Sequence, residues 1–322
     1  RLSILLQRRE IKDADLVVIT GDITEHGSQG EYAEAAELLH ELFREGRLMV
    51  VPGNHDLSEQ YPDQDYDRSW GWMLELLDHQ SETVRPLGEP FPLRWTSRDG
   101  RVAVLGLNSA VRNVWGALDN AVGEVGSEQI GRVQAALDPE QVTVLLLHHH
   151  ITRIPIGRRL LQRLIQREPV MRLRDAGLVQ ALCQDGRVNL VLHGHRHLFF
   201  KTRLGPTHVV CGSSTTQGCG LTRRMMFPHI ALNLSSRKLK VRRVDYLPPS
   251  REGSLTEMSH ELDVMEEYYS FTERMDQACE AWSDLALQSR RGRGAHRILD
   301  AVNDGLDREL SEMFYRMDKE DS

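Results

Sequence analysis

The stretch DLVVITGDITEHG, residues 15–27, contains the features from which the fold can be predicted. Residues 16–20 form an apolar run short enough for a buried strand, and the run ends in Gly21 and Asp22. A strand that stops at Gly-Asp places the carboxylate at the carboxyl edge of a sheet, where open α/β folds bind their ligands. A single Asp after Gly is also a common turn former, so the role of Asp22 depends on its neighbours in the sheet.

Apolar runs and helical patterns alternate along the chain beyond this stretch. In EYAEAAELLHELFREG the residues Ala33, Ala36, Leu39 and Phe43 recur at helical spacing, and the next apolar run follows at once. Buried strands are predicted at 16–20, 48–51, 101–107, 142–147 and 188–192, and further helices at SEQIGRVQAAL and DAGLVQALCQDG. This alternation predicts a largely parallel sheet covered by helices. More alternating runs predict antiparallel or edge strands at 208–211, 230–234 and 238–246.

The composition limits the class of protein. The chain has 322 residues, 40% of them hydrophobic, and a formal net charge of −7. This length can bury a full core, and the negative charge argues against a general nucleic-acid coat or a membrane-surface protein. No apolar run is long enough to span a bilayer and RLSILLQRRE lacks a signal-peptide pattern, so we expect a cytoplasmic protein. The four cysteines lack CxxC spacing and are predicted to be reduced and structural.

Polar side chains follow four of the predicted strands. Asp22 follows the first, and Asn54, His55 and Asp56 of PGNHD follow the second. Three consecutive histidines, 148–150, follow the strand at 142–147, and HGHRH at 193–197 follows the strand at 188–192. Each motif alone is typical of an ordinary turn or a structural histidine, but four at one sheet edge indicate a metal centre.

The residue types indicate which metals such a centre would hold. Carboxylate, amide and imidazole ligands suit Mn, Fe(II), Zn, Ni or Co, and the absence of thiolates at the strand ends disfavours a structural zinc site. Two neighbouring metal ions need a bridging carboxylate, and Asp22 is suitably placed to bridge them. Such a pair activates water for in-line displacement at a phosphoester.

The ordered motifs GDITEHG, PGNHD, LLLHHHITRIP and LHGHRH resemble those of the calcineurin-like metallophosphoesterase superfamily, in its bacterial branch related to cyclic-nucleotide phosphodiesterases. GLNSAVRN and GSEQIGRVQAAL are similar to the middle segment of that family. The resemblance covers about residues 1–246. It implies an α/β fold, a metallophosphoesterase-type β-sandwich flanked by helices. The helical pattern from Ser254 onward adds a C-terminal helical appendage.

The resemblance also implies roles for individual residues. It makes Asp22 the bridging ligand and two divalent metal ions, with manganese favoured, the cofactor. His55 would contact the phosphoryl group and protonate the leaving oxygen, with Asp56 holding its ring. His148 comes directly after the strand and is the preferred ligand. Because three histidines are consecutive, His149 stays an alternative or a substrate contact. The implied metal ligands are Asp22, Asn54, His148, His195 and His197, and His193 is assigned to structure.

One family motif, Asp-x-His at the end of a first strand, does not occur in the chain. The helix that should follow such a strand is predicted to begin directly with RLSILLQRR. Two explanations are open: native residues precede Arg1, or the protein has lost half of its first metal site. We favour the first explanation, because loss of that strand would expose a neighbouring strand of the sheet.

The substrate is predicted from an arginine-rich segment after the histidine motif. Seven arginines lie between Arg153 and Arg174, and they suit phosphate binding, with Arg153 the nearest to the site. The segment lacks aromatic residues that would stack single-stranded bases, which favours a nucleotide or cyclic nucleotide over nucleic acid. Two alternatives stay open: a nuclease of the same chemistry in a DNA repair or defence complex, and a catalytically impaired partner-binding module.

The chain is predicted to have two parts. Residues 1–248 form the metallophosphoesterase domain, and 249–322 form an α-helical tail in which two amphipathic helices are expected. The tail is predicted to pack on the domain, on a second copy of the chain or on a protein partner.

Overall fold

A computed structural model describes residues 2–57, 66–80, 83–110, 122–152, 173–197, 199–215, 225–235 and 238–246. The predicted helical tail at 249–322 and the predicted substrate contact Arg153 lie outside these residues, as does nearly all of the arginine-rich segment. Within them, Cys183 and Cys211 are buried and form no disulfide.

The secondary structure alternates between strands and helices as the sequence predicts. The helices are α1 (Leu2–Leu6), α2 (Arg9–Lys12), α3 (Gln29–Arg44), α4 (Tyr66–Asp78), α5 (Ser127–Ala136) and α6 (Ala176–Gln184). The strands are β1 (Val17–Ile19), β2 (Leu48–Val50), β3 (Val84–Pro86), β4 (Leu93–Thr96), β5 (Val102–Gly106), β6 (Val142–Leu146), β7 (Leu190–His193), β8 (Phe200–Leu204), β9 (Thr207–Cys211), β10 (Met225–Asn233) and β11 (Lys238–Tyr246). The predicted α/β class is confirmed.

Seven strands of the described residues form one mixed sheet, in the order β3-β4-β5-β6-β7-β9-β8. Its centre is parallel: β5 pairs with β6, β6 with β7 and β7 with β9. Leu105, Leu145 and Val191 belong to the core cluster that α5 and α6 cover, and all three are fully buried. Because these strands are parallel, the polar residues that follow β6 and β7 emerge at the same edge of the sheet.

Strands β1 and β2 form a separate parallel pair, in which Val17 lies opposite Leu48 and Ile19 opposite Val50. This pair packs against the large sheet at Gly106 of β5. A Cβ atom added to Gly106 would lie 2.7 Å from Met49 Cε and 2.8 Å from Val51 Cγ1. The close contact places the ends of β1 and β2 over the ends of the central strands.

Helix α3 connects β1 to β2, and Leu39 and Phe43 of the predicted spacing are buried, but in its first half the buried positions are shifted by one residue. Tyr32 and Ala35 are buried, whereas Ala33 is exposed and Ala36 only partly buried. A hydrogen bond explains this shift. The Tyr32 hydroxyl donates to the Asp56 carbonyl oxygen at 2.8 Å, which turns the Tyr32 side of the helix toward the loop after β2.

The expectation for residues 208–211 was partly wrong. Strand β9 is neither an edge strand nor purely antiparallel, since it pairs parallel to β7 and antiparallel to β8. Its alternating pattern reflects the end of the sheet, where only one further strand follows. The hairpin of β10 and β11 is antiparallel, as predicted. No helix among the described residues is long and apolar enough to cross a membrane.

Candidate metal centre

The polar ends of β1, β2, β6 and β7 meet at one place in the fold. Gly21 has a φ of +93°, and a Cβ atom at this position would lie 2.5 Å from Gly53 N and 2.7 Å from His148 Nδ1. Only glycine therefore lets the loop after β1 approach both the loop after β2 and the first histidine after β6. The main chains of the two histidine motifs are also joined, because Gly194 N donates to the His148 carbonyl oxygen at 3.1 Å.

Three other predicted ligand residues converge on the Nε2 atom of His148. His195 Nδ1 lies 2.9 Å from this nitrogen, Asn54 Oδ1 3.0 Å and Asp22 Oδ2 3.4 Å. Asn54, His148 and His195 are buried, and the side chain of Asp22 is only 18% exposed. The structure thus brings together the carboxylate, the amide and two of the imidazoles that the sequence motifs point to.

The hydrogen bonds of His148 determine which nitrogen faces the cluster as an acceptor. Its Nδ1 lies 2.6 Å from the Thr20 carbonyl oxygen, and since a carbonyl can only accept, Nδ1 carries the proton. The Nε2 atom of neutral His148 therefore presents a lone pair. This is the arrangement in which a backbone carbonyl orients a metal-binding histidine and fixes its tautomer.

The cluster contains more lone pairs than protons. Asn54 Oδ1 and the Asp22 carboxylate are acceptors, and the buried Nε2 of His195 has no hydrogen-bond partner among the described residues. If His195 donates from Nδ1 to His148, its Nε2 lone pair is left buried and unpaired. Burial first, and then the neighbouring His149 and His148, lower the pKa of His195 well below its usual value. The donor set suits a divalent cation of the borderline class.

Backbone strain is concentrated at the same residues. Among the described residues, the non-glycine positions with positive φ are Asp22 (54°), His195 (70°) and His197 (51°). Such conformations cost of order 1–3 kcal/mol each and cluster at functional sites. All three are residues that the motifs assign to metal binding.

The carboxylate of Asp56 joins the two loops instead of holding the His55 ring, which corrects the predicted contact. Its Oδ2 accepts from Gly53 N at 2.8 Å, and its Oδ1 accepts from both the backbone N–H and the hydroxyl of Thr24 at 2.9 Å. These donors lie closer to the buried carboxylate than the partly exposed imidazole does. Burial, and after it the charge of Asp22, raise the pKa of Asp56 to about 7.

His55 is held by the loop after β1. Its Nδ1 lies 3.1 Å from the Glu25 carbonyl oxygen, and its backbone N–H donates to Asp22 Oδ1 at 3.0 Å. Burial alone would lower the pKa of His55, but the Asp22 carboxylate and the Glu25 carbonyl outweigh it, so the pKa is raised above its usual value. The protonated form is therefore favoured beside the cluster.

The remaining histidines lie around this centre. His197 is partly buried, and burial lowers its pKa. The charges of Asp22, His148 and His55 also shift this pKa, so His197 lies close enough to interact with them electrostatically. His149 is fully buried, and its ligand atom lies within 4.8 Å of those of His148 and His195, a group that could hold a metal ion. His193 is buried against Phe200, with ring centroids 5.6 Å apart.

Several residues of the site were not identified from the sequence. Thr20 acts through its backbone carbonyl, which no sequence pattern reveals. Ser109 lies within GLNSAVRN, a segment noted only for its resemblance. Its hydroxyl contacts His149 Nδ1 at 2.9 Å. Glu31 accepts from the backbone N–H groups of Glu25 and His26, and could have been found as the third residue after Ser28 in a capping-box pattern.

Comparison with known proteins places the chain in a family. The model of the calcineurin-like phosphoesterases matches residues 2–199. A curated protein of Arcobacter nitrofigilis, named "Probable glycerophosphodiester phosphodiesterase GpdQ", is 29% identical over 147 residues, which are 44% of this chain and 44% of that protein. The chain thus spans less than half the length of this curated relative.

Solved structures with a similar fold are distant in sequence. One is a candidate 5′-nucleotidase from Staphylococcus aureus, with 14% identity, a TM-score of 0.42, and coverage of 83% of this chain and 52% of that one. Another is phosphopantetheinyl hydrolase from Mycobacterium tuberculosis, with 18% identity, a TM-score of 0.38, and coverage of 61% and 78%. The family model, rather than these structures, identifies the family.

Proposed function

The chain belongs to the calcineurin-like phosphoesterase family, and on that premise we propose that it hydrolyses a small phosphodiester with the help of two divalent metal ions. The proposed metal ligands are Asp22, Asn54, His148, His195 and His197. The observation that carries the proposal is the meeting of Asp22 Oδ2, Asn54 Oδ1 and His195 Nδ1 within 2.9–3.4 Å of His148 Nε2. A bound cation would satisfy the lone pairs of these neighbouring acceptor atoms.

Bound divalent metals would supply Lewis-acid polarisation of the phosphoryl group and activation of water. The chain's own contribution at the leaving group would come from His55. Because the Glu25 carbonyl can only accept, His55 Nδ1 carries a proton, and its Nε2 is left for the substrate. In its protonated form, His55 would hold a second proton at Nε2 that could pass to the leaving oxygen.

Asp56 would act by positioning. Its carboxylate ties Gly53, one residue before Asn54, to Thr24, two residues after Asp22. This bond fixes the two loops that supply the carboxylate ligand, the amide ligand and the proposed proton donor. Asp56 would therefore affect activity through the geometry of its neighbours and not by contact with the substrate.

The substrate class is proposed from the named relative. A glycerophosphodiesterase name on a protein 29% identical over the matched region favours glycerophosphodiesters as the first class to test. The arginine-rich segment keeps nucleotides and cyclic nucleotides as the second class. Manganese as the metal, a cytoplasmic location, and assembly through residues 254–322 stay predictions from the sequence.

The test is hydrolysis by chelator-treated protein to which Mn²⁺, Zn²⁺, Fe²⁺, Co²⁺ or Ni²⁺ is returned. The substrates are glycerophosphocholine, cyclic AMP, bis(p-nitrophenyl) phosphate and single-stranded DNA. We expect metal-dependent hydrolysis that His195→Ala abolishes and that His40→Ala, at an exposed position of α3, leaves unchanged. Hydrolysis that survives His195→Ala, or none with any metal, would contradict the proposal.

A further inference from the structure

Ser109 makes three contacts through one hydroxyl oxygen. Oγ accepts from the backbone N–H groups of His148 and His149, both at 3.2 Å, and lies 2.9 Å from His149 Nδ1. A hydroxyl has two lone pairs and one proton. The two backbone donors occupy both lone pairs, so the hydroxyl proton must be donated to His149 Nδ1. That nitrogen is then unprotonated, and neutral His149 carries its proton on Nε2.

His148 has the opposite proton arrangement, because its Nδ1 donates to the Thr20 carbonyl. We propose that the Thr20 carbonyl and the Ser109 hydroxyl hold these two consecutive histidines in opposite tautomers. His148 then offers a lone pair at Nε2 as a metal ligand, whereas His149 offers an N–H and is kept out of the ligand set. Ser109 is thus a positioning residue. The ligand part of this inference rests on the proposed function.

The surroundings of His149 are built to fix its ring. A Cβ atom on Gly123 would lie 2.4 Å from both Cγ and Nδ1 of His149, so the segment at 123 packs directly on the imidazole. The same segment is tied to the serine, since Glu124 N donates to the Ser109 carbonyl oxygen at 3.0 Å. His149 is 0% exposed. The ring therefore cannot turn over to offer Nδ1 to the cluster while this packing is intact.

The inference decides between two histidines, of which the sequence motifs favour His148 and leave His149 as an alternative. His148, His149 and His195 are close enough together to form a three-histidine site. A nitrogen that carries a proton cannot bind a metal, so the Ser109 hydroxyl removes His149 from that group. The proposed ligand set then keeps Asp22 and Asn54 as the oxygen ligands beside the imidazoles of His148, His195 and His197.

The tautomers can be measured directly in the full chain labelled with ¹⁵N-histidine. Long-range ¹H–¹⁵N spectra at pH 8 are recorded without metal and with Zn²⁺, which is diamagnetic, and signals are assigned with His148→Gln and His149→Gln. We expect His149 with protonated Nε2 and unchanged by Zn²⁺. We expect His148 with protonated Nδ1 and an Nε2 signal that Zn²⁺ shifts. A protonated Nδ1 on His149, or a Zn²⁺ shift of its Nε2, would overturn the proposal.

Variants of Ser109 test the cause. Ser109→Ala should give His149 both tautomers. Because the backbone N–H of the proposed ligand His148 also loses its acceptor, the substitution should weaken Zn²⁺ binding about 10-fold or more. Ser109→Thr, which keeps the hydroxyl, should restore the single tautomer. A single unchanged tautomer in Ser109→Ala would refute the role of Ser109, and the wild-type spectrum decides the tautomers if a variant does not fold. Opposite tautomers without any Zn²⁺ binding would leave the tautomer assignment standing and contradict the proposed function instead.

Discussion

The site has two halves that differ in how their polar groups are satisfied. In the loop half, after β1 and β2, the Asp56 carboxylate accepts three hydrogen bonds and the Glu31 carboxylate accepts from the backbone of residues 25, 26 and 28. In the histidine half, after β6 and β7, the described residues give no partner to Nε2 of His193 or His195. Asp56, His193 and His195 are all buried, but only the carboxylates of the loop half complete their hydrogen bonds among the described residues.

The difference indicates that the hydrogen-bond network of the loop half stabilises the fold, whereas the histidine half has buried polar groups that a bound ligand would satisfy. A saturated buried network stabilises the folded chain, whereas an unsatisfied buried group costs about 1–3 kcal/mol until something binds it. We therefore expect substitutions in the ligand set to lower activity with little loss of stability in the metal-free protein. Substitutions in the loop network should lower both.

Asp22→Asn should have the largest effect and separates the two properties. The amide keeps an oxygen that can accept from His55 N but removes the negative charge beside Asp56. We expect phosphodiesterase activity to fall by at least about 10²-fold, because a lost ligand costs no less than a lost outer partner. The free energy of unfolding of the metal-free protein should be unchanged or slightly higher. Asp15→Asn, at an exposed carboxylate before the same strand, is the control. Strong destabilisation of the metal-free protein by Asp22→Asn would contradict the distinction between the ligand set and the loop network.

Gly53→Ala should damage both halves at once. The added Cβ would lie 2.2 Å from Asp22 Oδ1 and 2.3 Å from Asp22 N, so either the carboxylate or the loop must move. We expect activity to fall by about 10-fold or more and stability by about 1–3 kcal/mol, measured by assay and urea unfolding. Gly131→Ala in α5, where a Cβ meets nothing within 4 Å, should instead stabilise the protein by about 0.5–1 kcal/mol. Equal effects of the two substitutions would contradict the close packing of the loops.

Asp56→Asn isolates the loop network. One carboxylate oxygen becomes an NH₂ group, which cannot accept from Gly53 N or from Thr24, so at least one buried donor is left unpaired. The expected loss of stability is about 1–3 kcal/mol, present with or without metal. Calorimetry of both forms measures it, with Asp78→Asn, at an exposed position of α4, as a control. A loss of stability seen only in the metal-loaded protein would indicate that Asp56 supports the metal ligands and not the loop network.

The sequence predicted the strand ends of the site better than their supports. Asp22, Asn54, His148 and His195 could be named because each is a polar residue directly after an apolar run in a parallel sheet. The supports could not, because Thr20 acts through a carbonyl and Ser109 through contacts with histidines that follow β6, 39 and 40 residues away. The predicted Asp56–His55 contact was wrong because adjacency in sequence does not show which way a buried carboxylate turns. Strands β3, β4 and β8 were missed, since they are short or have only one or two buried residues.

Glu31→Gln should have the smallest effect and tests the outer edge of the loop network. Glu31 accepts from Glu25 N, whose carbonyl holds His55, and from Ser28 at the start of α3. Burial alone would raise the pKa of Glu31, but the bonds from Ser28, Glu25 and His26 outweigh it and lower the pKa. The ionised side chain thus contributes stability above the unfolded pKa near 4.5, which is lost as the pH falls through the lower folded pKa. We expect the substitution to cost about 0.5–2 kcal/mol at pH 7 and to cost less as the pH falls below 4.5. Urea unfolding across this range measures it, with Glu34→Gln on the exposed face of α3 as the control. A loss of stability that is constant with pH would show that the charge of Glu31 contributes nothing to the network. The shape and hydrogen bonds of the uncharged side chain would then account for how the loop holds His55.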